Sequence, residues 1–376
     1  MTKKTVRIYD VAKAAGVSEA TVSLALNHSP LVKQETRKAV EAAARKLGYT
    51  PNPYARRLVL QKSGMIGVVV PDIENVYYAA LVKTLSAQIA DSGYSLSIFI
   101  SDNDPERERR AIRDMIGARV EGIVYVPINT PCDLSASRAL LQSGGIPTVC
   151  VTTEAAGLPS VRCDLAAGMR ALVAYLAAAG YRTLHCLTGP AGVYALDIRA
   201  DALIQAAADA GLPRGSVTVQ HLAAVDYDCA CAAVAPRLGD LPDCFVCAND
   251  FMALGVVNTL TAHGIAVPQR AAVAGFDNSV FSRVSPVPIT TVHQDIPELV
   301  RRTVRCLLPQ ILSLIHIFCR RRYESPSPSR RTPARARTRP RQSSRRRAGR
   351  CDGTSGRCRR PPVTAHRRPS PSSLWL

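Results

Sequence analysis

Residues 8–27, which read IYDVAKAAGVSEATVSLALN, decide how the N-terminal part of the chain folds. Apolar residues at positions 8, 11, 12 and 15 share one face of a helix, and Asp10 lies in its first turn, where a negative charge suits the helix dipole. Gly16 ends this helix, and Ser18 is placed to cap a second helix whose apolar face holds positions 22, 25 and 26. The stretch predicts two short helices joined by a tight glycine turn.

A third helix is predicted over residues 34–47, because positions 40, 43, 44 and 47 are apolar and Gly48 follows them. Lys33 lies at the N-terminal capping position of this helix, where a hydroxyl side chain would stabilise the helix by about 1 kcal/mol. In residues 50–58, TPNPYARRL, Asn52 can cap and Pro53 can open a fourth helix. That helix is too short to be stable alone, so we expect it to form only against a partner.

Charge divides the chain into three parts, although the net charge is +19. Residues 1–62 hold 12 Lys and Arg against 4 Asp and Glu, residues 63–317 hold 18 against 23, and residues 318–376 hold 18 Arg against two acids. A small basic domain beside a mildly acidic body indicates a polyanionic partner, most often nucleic acid. Helices joined by a short turn in such a domain indicate a helix-turn-helix that binds the DNA major groove.

Several short motifs make this N-terminal region resemble the headpiece of LacI/GalR-type transcription regulators. They are IYDVA (8–12), AGVS (15–18), TVS (21–23), LN (26–27), ETR (35–37), LGY (47–49), PN (51–52) and AR (55–56). The resemblance covers about residues 5–311. It implies a helix-turn-helix headpiece over residues 1–51, a hinge helix and linker over 52–63, and a two-lobed effector-binding and dimerisation domain over 64–311.

The resemblance also implies roles for individual headpiece residues. The second helix would enter the major groove with Glu19, Ala20 and Leu24 at the base-reading positions. Leu24 can meet a thymine methyl group, and Glu19 can accept a hydrogen bond from cytosine. Phosphates would be contacted by Ser18, Thr21, Ser23 and Asn27. In the minor groove of the operator, Leu58 of the hinge helix would wedge between base pairs with Ala55 packed alongside.

From Gly64 onward, apolar strands alternate with helices, which predicts an α/β body of two doubly wound parallel-sheet lobes. Strands are predicted over 65–70, 95–100, 122–126, 148–151, 183–187, 216–220, 244–248 and 271–275, and helices over 78–92, 104–118, 167–179, 197–210 and 251–263, with one more through Leu140. Two such lobes bind a ligand in the cleft between them, at the carboxyl ends of the strands. The runs DPERE (104–108), ANDFMALG (248–255) and GFDN (275–278) make this body resemble the family's periplasmic-binding-protein-like domain.

Polar and aromatic residues that follow the strands are the candidate ligand contacts. Asp277 can accept hydrogen bonds from a polyol, Asn249 can donate and accept, and Arg199 offers a planar donor fork. Tyr77 and Tyr78 can supply an aromatic wall. By resemblance these five match the family's effector-contact positions, and Gln294, on the third crossover between the lobes, is a sixth candidate. Asp250 is instead expected to cap the helix that follows it. A sugar or sugar-like polyol is the expected effector.

Other classes of protein are disfavoured. The N-terminus has no secretory signal, and no apolar run approaches the roughly 20 residues of a membrane helix, so a cytoplasmic protein without membrane contact is expected. The twelve cysteines include Cys244 and Cys247, whose spacing to Cys229 and Cys231 fits no common zinc site, so buried free thiols are expected. No catalytic motif stands out, and neither enzymatic activity nor a cofactor or metal is predicted.

The C-terminal residues differ in composition from everything before them. Residues 318–376 contain 18 Arg, 8 Pro and 9 Ser but no Lys. One interpretation is a disordered arginine-rich arm that adds nonspecific affinity for nucleic acid. The favoured one is that residues 312–376 form a foreign or frame-shifted segment. Residues 312–317 resemble a translated sequencing adapter, and the family would have a last core strand here. Either interpretation predicts disorder from residue 318 onward.

The leading hypothesis is a sequence-specific transcription regulator that represses as a homodimer on pseudo-palindromic operator DNA, with a carbohydrate effector that changes operator affinity. A second hypothesis keeps this scaffold but places it under the control of a protein partner. A third is a nonspecific nucleic-acid binder that depends on the arginine-rich tail.

Overall fold

Three helices form the headpiece in the computed structural model, which describes residues 6–26, 28–49 and 63–323. They are α1 (Ile8–Ala15), α2 (Glu19–Leu26) and α3 (Gln34–Leu47). The bounds of α1 and α3 confirm the predicted ones. The proposed hinge helix lies outside the described residues, so the predicted boundary between headpiece and hinge stays a prediction.

The caps of these helices follow from local sequence. Gly16 and Gly48 take left-handed φ angles of 65° and 68° where α1 and α3 end. The hydroxyl of Ser18 accepts a hydrogen bond from the backbone N–H of Thr21 at 3.1 Å, which confirms the predicted cap of α2. Lys33 precedes α3 without a side-chain cap, as predicted. The three helices of the headpiece share a small apolar core, and contacts between residues close in sequence stabilise their ends.

The first lobe is a five-stranded parallel sheet flanked by helices. Its elements are β1 (Met65–Val70), α4 (Val76–Asp91), β2 (Ser95–Ile100), α5 (Pro105–Gly117), β3 (Gly122–Tyr125), α6 (Ser135–Ser143), β4 (Thr148–Val151) and β5 (Ser160–Val161). The strand order is β2-β1-β3-β4-β5, with β1 in parallel register against β2 (Met65 opposite Ser95) and β3 (Ile66 opposite Gly122). β1 is apolar throughout because helices cover both faces of the sheet.

The second lobe repeats this arrangement. Its elements are α7 (Leu165–Ala178), β6 (Leu184–Thr188), α8 (Tyr194–Asp209), β7 (Val217–His221), α9 (Tyr227–Val234), β8 (Cys244–Cys247), α10 (Asp250–Ala262), β9 (Ala272–Asp277), α11 (Val280–Val284) and β10 (Thr290–His293). The strand order is β10-β9-β8-β6-β7, and all the pairings are parallel. The predicted two-lobed α/β fold is confirmed.

The chain passes between the lobes twice within the described residues, around residues 162–164 and again around residues 294–295. After the second passage, α12 (Ile296–Tyr323) returns to the first lobe. There Leu307 and Ile311 lie against β3, and a Cβ placed on Gly122 would be 2.8 Å from the Ile311 side chain. The expectation that Gln294 lies on a third crossover is wrong for the described chain, because Gln294 lies on the second.

The last described element, α12, continues to Tyr323, which is six residues into the segment for which the sequence predicts disorder. Leu, Ile and Arg are good helix formers, and no Gly or Pro interrupts the chain between Pro309 and Pro326. Residues 324–376 lie outside the described residues.

Candidate functional site

One face of α2 is free while the other packs into the headpiece core. Val22 and Ala25 are buried, whereas Leu24 is 39% exposed. The predicted DNA contacts Ser18, Glu19 and Ala20 are exposed as well, and Thr21 and Ser23 are half-buried. The structure therefore places these six side chains at the start and along the outer side of α2. Asn27, Ala55 and Leu58 lie outside the described residues.

A cleft of about 440 Å³ lies between the two lobes. The carboxyl ends of the strands of both sheets face it, as expected for doubly wound lobes. All six candidate ligand contacts line this one cleft: Tyr77, Tyr78, Arg199, Asn249, Asp277 and Gln294. The structure thus brings together residues that are up to 217 positions apart in the sequence.

The first lobe contributes an aromatic pair at the start of α4. Asn75 caps this helix by accepting a hydrogen bond from the Tyr77 backbone N–H at 3.0 Å. The rings of Tyr77 and Tyr78 meet edge to face, with centroids 5.4 Å apart. The amide of Asn129 donates to the Tyr78 hydroxyl at 2.5 Å. Burial raises the pKa of both phenols, that of Tyr78 to about 12, so both remain neutral hydroxyl groups at ordinary pH.

Gln294 links the two lobes at the second crossover. Its Oε1 accepts a hydrogen bond from the Tyr77 hydroxyl at 3.4 Å, and its Nε2 donates to Asp277 Oδ1 at 2.7 Å. Burial raises the pKa of Asp277, although the positive charge of Arg199 and the hydrogen bond from Gln294 oppose this rise. Asp277 has a φ of 100°, so the turn after β9 holds its backbone in a conformation that side chains other than glycine rarely adopt.

Arg199, on α8, is held by two contacts beneath the cleft. Its Nη1 donates to the carbonyl oxygen of Ala248 at 2.5 Å. Its guanidinium carbon lies 4.1 Å from the centroid of the Phe276 ring, a cation–π distance. Its Nε is buried without a hydrogen-bond partner. These contacts fix the plane of the guanidinium, so the rest of its donor fork has a defined direction.

The predicted roles of Asn249 and Asp250 need a correction. Asn249 caps α10, because its Oδ1 accepts a hydrogen bond from the Met252 backbone N–H at 2.8 Å. Asp250 is not the cap, since it is the first residue inside α10 and its carboxylate points toward the strands. There it accepts hydrogen bonds from Ser279 N–H and from the Thr291 hydroxyl, both at 2.5 Å.

Asp250 is 1% exposed, and its surroundings perturb its acidity. Burial, and then the nearby charge of Asp277, raise its pKa to about 7, although the hydrogen bonds from Thr291 and Ser279 oppose the rise. Because the turn it binds carries Asp277, Asp250 supports the cleft from behind. A group in this second layer cannot be recognised from a strand-end pattern alone.

Six polar residues that line the cleft were not singled out in the sequence: Asp72, Asn75, Asn103, Asn129, Thr130 and Asp226. Most of them follow the carboxyl ends of strands β1, β2, β3 and β7 within a few residues. The rule that selected Asp277 and Asn249 would therefore have selected these residues too, had it been applied to every strand.

The described part of the chain contains no group of three or more His, Cys, Asp or Glu residues placed to hold a metal ion. None of its helices is long and apolar enough to cross a membrane. Cys244 and Cys247 are buried free thiols in β8, as predicted, and burial raises the pKa of both.

Comparisons with known proteins agree with this geometry. Residues 7–52 match the family model of bacterial regulatory proteins of the lacI family, and residues 173–344 match that of a periplasmic binding protein-like domain. The second match continues past Ile311, where the resemblance in sequence motifs ends. Catabolite control protein A of Staphylococcus aureus strain Mu50 is 31% identical over 277 residues, which are 73% of this chain and 83% of that protein.

Two solved structures share the fold. One is a Lac repressor dimer bound to operator and the anti-inducer ONPF, with a TM-score of 0.75 and 25% identity over 82% of this chain and 94% of that chain. The other is the transcriptional regulator CelR in complex with cellobiose, with a TM-score of 0.58, 25% identity and the same coverage.

Proposed function

Since the chain belongs to the lacI family of bacterial regulatory proteins and is therefore a DNA-binding transcription regulator, we propose that it represses its target genes and that a sugar or polyol bound in the cleft changes its affinity for operator DNA. In this proposal it acts by binding alone, in the cytoplasm, as a homodimer. The observation that carries the effector half is the convergence of Arg199, Asp277 and Gln294 with two tyrosines in one cleft.

The cleft suits a hydroxyl-rich ligand for two reasons. It offers both donors and acceptors, since Arg199 and the Asn249 amide nitrogen can donate while Asp277 can accept. It also offers an aromatic edge from Tyr77 and Tyr78, against which a sugar ring face can pack. A related structure of the same fold holds cellobiose, a disaccharide.

The exposed side of α2 suits the major groove. Base edges would be read by Glu19, Ala20 and Leu24, and phosphates would be contacted by Ser18, Thr21, Ser23 and Asn27. In the hinge segment, Leu58 and Ala55 would enter the minor groove. Two headpieces of a symmetric dimer would then read two half-sites of a pseudo-palindromic operator.

The two passages between the lobes supply a route from the cleft to DNA. A ligand that contacts Tyr77 of the first lobe and Asp277 of the second favours one angle between the lobes. Gln294 hydrogen-bonds to both of these side chains, so a change in the angle between the lobes would change the lengths of these two hydrogen bonds. A change of angle alters the spacing of the paired hinge segments, and operator affinity changes with it.

The test begins with selection of a bound sequence from random duplex DNA by the purified full chain. Fluorescence anisotropy then measures affinity for that duplex at several salt concentrations and with a panel of sugars. We expect a selective complex that at least one sugar weakens or strengthens. Binding without sequence preference would contradict the proposal.

Variants separate base reading from phosphate contact. Glu19→Gln should change the preferred base at one position, whereas Ser18→Ala should weaken binding to all sequences alike and also loosen α2. Removal of residues 324–376, which leaves α12 whole, should preserve the sequence preference. Loss of all DNA binding on this removal would instead favour a nonspecific binder that depends on its arginine-rich tail.

A further inference from the structure

The cleft carries more negative than positive side chains. Three carboxyl groups line it, those of Asp72, Asp226 and Asp277. Arg199 is the single basic side chain among the described residues that line it, and no lysine does. A ligand with a negative charge would therefore enter a site whose side chains repel it on balance.

Helix N-termini often bind phosphate, and three of those at the cleft are capped by side chains. Asn75 accepts from the Tyr77 N–H at 3.0 Å, and Asn249 accepts from the Met252 N–H at 2.8 Å. Asp226 caps α9 through the Cys229 N–H at 2.7 Å. Each of these three side chains takes one of the backbone donors that a phosphate would need, and Asp226 adds a negative charge. The N-terminus of α8, where Ala195 and Leu196 line the cleft, has no side-chain cap.

Arg199 is also a poor receptor for a phosphate. One of its terminal nitrogens donates to the Ala248 carbonyl, and one of its faces lies on the Phe276 ring. The bidentate fork by which arginine usually holds phosphate is therefore partly occupied. In addition, Arg199 is close enough to Asp277 for its positive charge to lower the pKa of that carboxyl group, so the carboxylate balances part of the guanidinium charge.

What the cleft offers instead are acceptors that require a donor on the ligand. Gln294 occupies one oxygen of Asp277, which leaves the other for an O–H or N–H group. A carboxylate and the doubly charged form of a phosphate monoester, which predominates above its second pKa of about 6, carry no proton to donate, whereas every sugar hydroxyl carries one. Asp277 therefore discriminates by hydrogen-bond polarity as well as by charge.

We infer that the cleft takes an uncharged, polyhydroxylated ligand and rejects the phosphorylated or carboxylated form of the same ligand. The inference rests on the proposed function, because it concerns the effector of that same cleft. It narrows the effector class, since sugars occur in cells both free and phosphorylated.

The experiment uses matched probes on the purified full chain. Glucose is compared with glucose 6-phosphate and glucuronic acid, fructose with fructose 6-phosphate, and trehalose with trehalose 6-phosphate, by thermal shift and by calorimetry. For any sugar that binds, we expect its charged counterpart to bind on the order of tenfold to a hundredfold more weakly.

A variant pair tests whether Asp277 is the cause. Asp277→Asn keeps the shape and the acceptor for Gln294 but removes the charge. It should weaken the neutral sugar roughly tenfold, since hydrogen bonds to charged groups are the stronger ones. It should also reduce the difference in affinity between the neutral sugar and its phosphorylated counterpart. Asp91→Asn removes one charge at the exposed end of α4 and should change neither value.

Each result decides a different question. A phosphorylated probe that binds more tightly than its parent sugar would overturn the inference while leaving a small-molecule regulator in place. A neutral sugar that binds without changing operator affinity would support the inference and contradict the proposed function. No binding by any probe would overturn both, since the cleft would then hold no carbohydrate.

Discussion

Replacement of Asp250 by Asn should change how stability depends on pH. The carboxyl group is buried, and its pKa is raised from an ordinary value of 3.8 to about 7. Between these two values the folded chain keeps a proton that the unfolded chain releases, so the free energy of unfolding falls as pH rises. A difference of one pKa unit corresponds to roughly 1.4 kcal/mol, so the free energy of unfolding should fall by about 4 kcal/mol in total by pH 8.

Asp250→Asn removes this titration. The asparagine oxygen can still accept from Ser279 N–H, and its amide nitrogen can donate to the Thr291 hydroxyl. At pH 4 the variant should therefore be no more stable than the original chain. As pH rises to 8 its relative stability should increase by up to about 4 kcal/mol, a difference on the order of 10 °C in Tm for lobes of this size.

Thermal unfolding followed by circular dichroism at pH 4, 5, 6, 7 and 8 measures this difference. Burial lowers the pKa of His185 and of His293, so protonation of these two side chains lowers the stability of the folded chain as pH falls. This effect is the same in the original chain and in the variant, and it cancels in the difference between them. Asp201→Asn, at an exposed position of α8, controls for the loss of a charge. Parallel Tm profiles for the original chain and Asp250→Asn would refute the reasoning.

Two further substitutions follow from local geometry. Gly275→Ala would place a Cβ 2.3 Å from Asp250 Oδ1 and should lower the free energy of unfolding by about 1–3 kcal/mol in thermal unfolding. The control is Gly117→Ala, where the new Cβ has nothing within 4 Å and should leave stability unchanged or slightly raised. Equal effects of the two substitutions would contradict the packing argument. Lys33→Ser should add a cap to α3 and stabilise the headpiece by about 1 kcal/mol, which amide hydrogen exchange measures. Lys38→Ser, inside α3, should give no such stabilisation. Exchange rates that Lys33→Ser leaves unchanged would show that the cap contributes nothing.

The alternation of strands and helices was legible in the sequence because buried parallel strands are apolar along their whole length. Met65–Val70 and Cys244–Cys247 are examples. Elements without such a signal were missed. β5 has only two residues, and α11 has five. α9 is rich in Ala and Cys with no clear apolar stripe, although the capping residue Asp226 marks its start.

The candidate cleft was predictable for the residues that follow strands and unpredictable for those behind them. Asp277 could be chosen by position and chemistry, whereas Arg199, which lies inside α8, was chosen by its chemistry and by the family resemblance. The choice between cap and ligand at Asn249 and Asp250 could not, because both residue types cap helices well and only the direction of each side chain distinguishes them. Likewise, the continuation of α12 past Phe318 depends on helix propensity, which the abrupt change in composition had obscured.

The return of α12 to the first lobe has a consequence for synthesis of the protein on the ribosome. Residues 165–293 form one uninterrupted segment and can complete the second lobe as soon as they emerge. The first lobe begins earlier but finishes later, since Leu299, Val304 and Ile311 complete its core. Until Ile311 has been translated, the face of the first sheet that α12 covers stays open to water, and a nascent chain interrupted before that codon carries a finished second lobe beside an unfinished first one.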